Sequence, residues 1–189
     1  MSAGLAPGFL VAAPSLLDPN FHRSVVLLVE HHAQGALGFV INRPATATLG
    51  ALFGELGLDP ASDVAVDAPV MVGGPVSPNT GWIVMDWAEG QAARDDVVVV
   101  AGGIGVSTSR DVLASIARGE GPARHLLVLG YAGWGPGQLD DEIRAGAWIP
   151  VDLDARIVFD LPFDGRWRAA LAVLGIDPAR IVGSTVPEA

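Results

Sequence analysis

The sequence predicts a single domain over residues 1–189 with a mixed α/β fold. The chain is long enough to bury a sizeable core within one domain. Hydrophobic residues make up 50% of it and charged residues only 17%, a composition typical of a globular protein. Short β-branched apolar runs alternate along the chain with segments of helical spacing, and glycine- or proline-rich turns separate them.

The first half of the chain is predicted to consist mainly of strands. Two apolar runs flank Ala33–Gly35 and predict a β-hairpin. Apolar residues at helical spacing predict one helix, which Gly57 ends. The predicted strands are Gly8–Ala13, Ser24–His32, Ala36–Arg43, Val70–Val72, Trp82–Trp87 and Val97–Ala101, and the predicted helix is Thr48–Leu56.

The second half is predicted to alternate between helices and strands. Apolar residues at helical spacing between Val112 and Ala117 indicate a helix that ends at Gly119. The elements that follow are a strand at Leu126–Gly130, a helix at Gln138–Ala145, an extended segment at Trp148–Val151 and a last helix at Gly165–Leu174.

The segment Gly130–Gly137 holds a dense set of glycines between an apolar run and an amphipathic one. This pattern predicts a strand that enters a tight loop and leaves by a helix, a junction where α/β proteins commonly bind ligands. We expect at least one of Gly133, Gly135 and Gly137 to have a positive φ or to lie against another backbone. Acidic residues at 140–142 and the lack of lysine disfavour a phosphate at this helix start.

A second glycine-containing segment, Gly103–Ser109, partly matches two functional motifs. It lacks the third glycine of a dinucleotide-binding loop and the last glycine of a nucleophile elbow. Thr108 precedes Asp111 by three residues, the spacing of a capping box. We therefore expect these hydroxyl groups to start a helix rather than to carry catalysis.

The composition excludes several kinds of chemistry. The chain has no cysteine, and all of its 11 basic residues are arginine. Disulfides, thiolate catalysis, Schiff bases and a P-loop lysine are therefore ruled out. A net charge of −10 disfavours direct binding to nucleic acid or to an anionic membrane.

Metals, cofactors and membrane segments are not expected either. His31 and His32 point to opposite faces of a strand, and no run of carboxylates has the spacing of a metal-binding loop. No signal peptide is recognisable, and the apolar runs are far shorter than the ~20 residues that span a bilayer. We expect a cytoplasmic protein without a bound cofactor or metal.

Several motifs in a fixed order resemble those of the bacterial YqgE/AlgH family. They extend from about Pro7 to Asp177, and together they are far more specific than any one alone. The main motifs are Asp18–Phe21 with Arg23–Val25, Gly38–Pro44, Gly73–Val76, Ser109–Asp111 and Leu129–Leu139. Phe159–Asp160 and Arg166–Leu171 fit the family as well.

The resemblance implies a single-domain fold with a mixed, partly barrel-like β-sheet and helices packed outside it. It supplies no set of catalytic residues. The family's description as a transcriptional regulator reflects a genetic link to alginate control. The resemblance therefore constrains the fold much more than the function.

Three classes of function stay open. The first is a ligand-sensing or regulatory protein that acts through a pocket near the Gly130–Gln138 loop. The second is a transcriptional regulator, which would act through a protein partner because the chain has no basic recognition helix. The third is a hydrolase that uses carboxylate, histidine or serine, although no nucleophile lies beside a base in the sequence.

The candidate ligand-binding residues are polar or aromatic members of these motifs. Two interpretations apply to the arginines at 23, 43 and 110. They form ion pairs with Asp18, Glu30 or Asp111, or some of their donors face a cleft and bind a small carboxylate or phosphate. The candidates for binding such an acidic ligand are Asn20, Arg23, Asn42, Arg43, Trp134 and Gln138.

Overall fold

A computed structural model describes residues 4–100 and 102–182. The strands are β1 (Gly8–Ala12), β2 (Val25–His32), β3 (Gly35–Val40), β4 (Pro44–Thr48), β5 (Pro69–Val72), β6 (Val76–Asp86), β7 (Val98–Val100), β8 (Ile104–Ser107), β9 (His125–Trp134) and β10 (Trp148–Val151). The helices are α1 (Leu49–Glu55), α2 (Arg110–Ala117), α3 (Gln138–Arg144), α4 (Ala155–Phe159), α5 (Arg166–Val173) and α6 (Pro178–Val182).

The strands form one sheet in the order β10-β1-β2-β3-β9-β6-β8-β7. Neighbours along this path are antiparallel, while β5 pairs with β4 and lies parallel to β9. Strand β9 is central because its two ends pair with different strands. Gly38 of β3 lies opposite Ala132, and Ile83 of β6 lies opposite Leu127. The long strand β9 therefore joins the two halves of the sheet.

The sheet is curled into a half-barrel around the main hydrophobic core. Phe9 and Leu27 from one half of the sheet belong to the same buried cluster as Val84 and Val106 from the other half. Alternate residues of a strand face opposite sides of a sheet. Residues from distant strands can therefore share one cluster only on the concave side. The prediction of a partly barrel-like sheet is confirmed.

The helices cover the sheet on both sides. On the convex side, α1 and α2 pack against one half of the sheet through Phe53 and Ile116, and α3 packs against the other half through Leu139. Helices α4 and α5 pack against the concave core, where the Trp167 indole donates a hydrogen bond of 2.9 Å to the Ala12 carbonyl. Helix α5 thus contacts the end of the first strand.

Most predicted elements are present, with different ends in several cases. The hairpin, α1, α2, α3, β10 and α5 are confirmed, and Thr48 caps α1 through its hydroxyl. Strands β4 and β8 and helices α4 and α6 were not predicted. The predicted cap Thr108 is wrong, because the Ser109 hydroxyl accepts the backbone N–H groups of α2. Ala101, the predicted last residue of β7, lies outside the described residues.

Within the described ranges, no helix is both long and apolar enough to cross a membrane.

Candidate functional site

Asn42 and Arg43, which follow β3, hold the loop that precedes β2. The Asn42 side chain accepts a hydrogen bond of 2.9 Å from the Val25 N–H and donates one of 2.8 Å to the Arg23 carbonyl. The Arg43 guanidinium donates to the carbonyls of Pro19, Asn20 and His22. Both side chains therefore act as braces that set the shape of the 18–24 loop.

Arg23 is held in an unusual conformation by this brace. Its φ is +52°, in the left-handed region that residues with a Cβ rarely adopt. Its guanidinium carbon lies 5.4 Å from the ring centre of Trp167 in α5, a cation–π contact. Non-glycine residues with strained backbones are concentrated at functional sites. The loop therefore presents Arg23 in a fixed position against the last part of the chain.

Loop 18–24, the end of β3 and the start of α5 enclose a cleft of about 290 Å³, here called the arginine cleft. It contains an uncommon concentration of arginine for a chain of net charge −10. The residues that line it are His22, Arg23, Ser24, Asn42, Arg43, Phe163, Asp164, Trp167 and Arg168.

The arginines of the family motifs do not form the predicted ion pairs with Asp18, Glu30 or Asp111. Arg43 donates to backbone carbonyls instead, and Arg110 donates to the carbonyl of Leu56. Arg23 contacts the Trp167 ring. The ion-pair interpretation is therefore wrong, because neutral carbonyl oxygens and an aromatic face provide the partners that we expected from carboxylates.

Trp134 and Gln138 lie away from the arginine cleft and bind Glu142 of α3. The Glu142 carboxylate accepts hydrogen bonds from the indoles of Trp134 (2.9 Å) and Trp148 (2.8 Å) and from the Gln138 amide (2.8 Å). The Phe21 ring packs against both tryptophans at centroid distances of 6.4 and 5.4 Å. Phe21 thus connects this cluster to the 18–24 loop, and a binding role for Trp134 and Gln138 stays a prediction.

The glycine-rich segment is mostly strand rather than loop. Strand β9 continues to Trp134, so the predicted strand end at Gly130 is wrong. Gly137 has a φ of +72° and precedes α3, which confirms the prediction of a positive φ. Gly130 also has a positive φ, and a Cβ there would lie 2.5 Å from the Gly74 carbonyl oxygen. The glycines therefore permit a close crossing of two chain segments.

In the structure, four of the six candidate residues lie together at one corner of the molecule. Asn42 donates a hydrogen bond to the Arg23 carbonyl, and Arg43 donates one to the Asn20 carbonyl. Arg168 was missed, because an arginine in a terminal helix reads as an ordinary solvated residue. The signal that could have found it is its place in the family motif Arg166–Leu171.

Arg166 lines a separate, mainly apolar concavity near the arginine cleft. It is 6% exposed and donates to the carbonyls of Leu161 (3.1 Å) and Ile41. Burial lowers the pKa of its guanidinium to about 10. Its hydrogen bonds join the end of β3 to the segment before α5, which gives Arg166 a structural role.

Asp96, beside β7, is the partner of Arg94 in a bidentate ion pair with two hydrogen bonds of 2.8 Å. Hydrogen bonds from Arg94 and Ser109 lower the pKa of the Asp96 carboxyl from 3.8 to about 2. The stabilisation from this pair is therefore fully present above about pH 3.8 and is lost as the pH falls through about 2.

We expect the Arg94→Gln substitution to raise the pKa of Asp96 toward 3.8, since the main hydrogen-bond donor is removed. A ¹³C NMR titration of the side-chain carboxyl measures this shift. Arg118→Gln breaks a similar but more exposed pair with Glu120 and should leave the Asp96 midpoint unchanged. A wild-type midpoint already near 3.8 contradicts the prediction.

Over the described part of the chain, no three histidine or acidic side chains lie close enough together to hold a metal ion. None of the histidines in that part hydrogen-bonds a serine or threonine hydroxyl; His22 and His125, for example, contact the carbonyls of Leu16 and Pro122. A serine or threonine nucleophile beside a histidine base is therefore not formed by these residues.

The curled half-barrel with a polar cleft at one corner defines a class of single-domain α/β proteins. The profile of the AlgH-like family matches residues 9–179, and the chain belongs to this family. A UPF0301 protein of Anaeromyxobacter dehalogenans is 50% identical over 94% of this chain and 91% of its own length. A UPF0301 protein of Laribacter hongkongensis is 43% identical over 95% of both chains.

Two solved structures share the fold. The solution structure of the AlgH protein from Pseudomonas aeruginosa superposes with a TM-score of 0.78 at 37% identity, over 100% of this chain and 98% of that one. A crystal structure of a protein from Corynebacterium diphtheriae gives a TM-score of 0.74 at 22% identity, over 95% and 91% of the two chains.

Proposed function

We propose that this protein is a cytoplasmic ligand-sensing protein that binds a small carboxylate or phosphate in the arginine cleft. The observation that supports this most is the state of Arg23 and Arg168. Both line the cleft, and neither forms an ion pair with a carboxylate of the described residues. Asp164 lines the cleft too, but it is not within ion-pair distance of either arginine.

Arginines without a carboxylate partner in an acidic chain favour the binding of an anion from solution. Guanidinium groups bind carboxylate and phosphate through two parallel hydrogen bonds. The Trp167 ring orients the Arg23 guanidinium, and the braced 18–24 loop keeps the backbone of Arg23 in place. Such preorganisation lowers the entropic cost of binding. An arginine pair of this kind is well suited to recognise one small anion.

Ser24 adds a polar group at the same place. It is 1% exposed, and its hydroxyl has no hydrogen-bond partner in the described part of the chain. Buried hydroxyls are usually satisfied by a protein group, a water or a ligand. The unsatisfied hydroxyl therefore supports a cleft whose hydrogen bonding is completed from outside the chain.

The binding site differs from the one expected at the Gly130–Gln138 loop, but the two regions are connected. The 18–24 loop carries Phe21, which packs against Trp134, the last residue of β9. An anion that tightens the 18–24 loop would therefore also stabilise the Trp134 environment. We propose that this coupling passes the binding event to a protein partner, which is the route expected for any effect on transcription.

The proposal is tested by thermal unfolding with inorganic phosphate, malate and glucose 6-phosphate at constant ionic strength. We expect at least one of them to raise the midpoint, since a ligand at one hundred times its Kd stabilises the folded state by about 2.7 kcal/mol. Arg168→Gln and Arg23→Gln should abolish the increase. Both side chains are exposed, so the midpoint of the free Arg168→Gln variant should stay nearly unchanged.

Arg118→Gln, an exposed substitution at the end of α2, serves as the matched control and should respond like the wild type. The proposal is overturned if none of the three anions raises the wild-type midpoint. It is equally overturned if Arg168→Gln and Arg23→Gln respond as strongly as Arg118→Gln.

A further inference from the structure

Strand β7 forms one end of the sheet and leaves an apolar edge uncovered. Among the described residues it pairs only with β8, and it is last in the strand order. Val98 is 68% exposed and Val99 is 53% exposed. The unpaired edge of a strand offers a row of N–H and C=O groups to another strand, and proteins usually protect it with charge, proline or a covering element. The three valines of β7 include none of these protections.

A concavity lies on each face of this edge. Val98 and Val99 face opposite sides, because alternate residues of a strand do so. Val98 lines a hollow of about 360 Å³ on the concave side, together with Phe39 and Trp82. Val99 lines a hollow of about 630 Å³ on the other side. A strand added beside β7 would therefore find space for alternate side chains on both of its faces.

The hollow on the concave side carries negative charge. Glu30, Asp95 and Asp96 line it, and no arginine does. Arg94 neutralises Asp96, whereas Asp95 forms no ion pair with another described residue. Electrostatic complementarity favours a partner with a basic residue at this point. A second copy of a chain with net charge −10 is disfavoured for the same reason.

The same hollow has an unmet hydrogen-bond requirement. The Trp82 ring packs between Phe39 and Tyr131 at centroid distances of 5.1 and 6.2 Å. Its indole nitrogen is buried and has no acceptor in the described residues. An unsatisfied buried donor is costly, so a bound group that accepts a hydrogen bond at this point would be stabilising.

We infer that β7 is a docking edge for an extended segment of another protein that alternates apolar residues and carries basic ones. The segment adds as a further strand of the sheet. Its backbone bonds to the free edge of β7. A side chain with a hydrogen-bond acceptor, such as threonine, enters the Trp82 hollow and accepts from the indole N–H, and a basic side chain pairs with Asp95. This mode of recognition takes its affinity from backbone hydrogen bonds and its specificity from pockets for alternate side chains. It uses none of the residues that line the arginine cleft and does not depend on that cleft.

The probe is a short synthetic peptide of alternating valine and threonine with lysine and arginine at its ends. We expect ¹⁵N NMR to show shifts of the Val98–Val100 amides and the Trp82 indole N–H, with affinity that falls as salt is added. The same peptide with a central proline should bind at least about tenfold more weakly, because proline breaks the strand ladder.

In the protein, Val98→Lys places a charge on the docking edge and should weaken binding at least about tenfold. Val173→Lys makes the same change at a 52% exposed valine of α5 and should bind the peptide like the wild type. Equal thermal midpoints of the two variants show that both fold. The proposal fails if the β7 amides do not respond to the peptide, or if both variants bind equally. It also fails if sedimentation shows a dimer that Val98→Lys dissociates, since the edge would then serve a second copy.

Discussion

Replacement of Gly74 with alanine is expected to lower the free energy of unfolding by more than about 4 kcal/mol, among the largest effects of any single substitution. Gly74 follows β5 and crosses β9 at close range, with a φ of +154°. A Cβ there would overlap the Tyr131 carbonyl group and would lie 2.5 Å from the Ala132 nitrogen. Strand β9 cannot move away, because Ala132 pairs with β3.

Urea unfolding followed by tryptophan fluorescence measures this effect. Gly54→Ala in α1 is the matched control, since a Cβ at Gly54 meets no atom within 4 Å. Alanine favours helix over glycine by up to about 1 kcal/mol, so this variant should be at least as stable as the wild type. A Gly74→Ala protein with the stability of Gly54→Ala would show that the crossing can open without cost.

Glu142→Ala is expected to lower the free energy of unfolding by about 3 kcal/mol, because it leaves two buried indole N–H groups without an acceptor, each at a cost of about 1–3 kcal/mol. The affected donors belong to Trp134 and Trp148, which are 7% and 3% exposed. The loss should also reduce the near-ultraviolet circular dichroism of the tryptophans, since their packing is no longer fixed.

The control for this substitution is Glu120→Ala, which breaks an exposed ion pair with Arg118. Such pairs contribute little, so the change should stay within about 0.5 kcal/mol. Urea unfolding of both variants makes the comparison. If Glu142→Ala is as stable as Glu120→Ala, the carboxylate is not what holds the two tryptophans.

Local patterns predicted the elements whose signals lie within a few residues. The hairpin around Gln34, helix α1 and the glycine that ends it are examples. Strand β8 was missed because Gly103–Ser109 reads equally well as a loop before a helix. Strand β9 was cut short because glycine is rare inside strands, and here it permits the crossing with Gly74. The close contact between Gly74 and β9 outweighed the low preference of glycine for strands.

The candidate site likewise combines residues that local motifs identify with residues that only long-range packing brings in. The family motifs correctly grouped Asn20 and Arg23 with Asn42 and Arg43, which meet through the hairpin. The position of Arg168 beside the cleft depends on how α5 packs across the concave core, and no local pattern encodes that packing. Ion pairs were expected for the arginines because carboxylates are their commonest partners. The chain instead satisfies Arg43 with backbone carbonyls of the 18–24 loop.

The contact between Trp167 and Ala12 has a consequence for the order in which the protein can form. Strand β1 is synthesised early but pairs with β10, which lies near position 150 and is synthesised much later. Arginines 23 and 168 meet only after that pairing and the packing of α5. Contacts of such long sequence separation are slow to form and cannot be completed while the ribosome still holds the C-terminal segment. A nascent chain therefore cannot form the arginine cleft, and an anion bound as proposed would stabilise only the completed molecule.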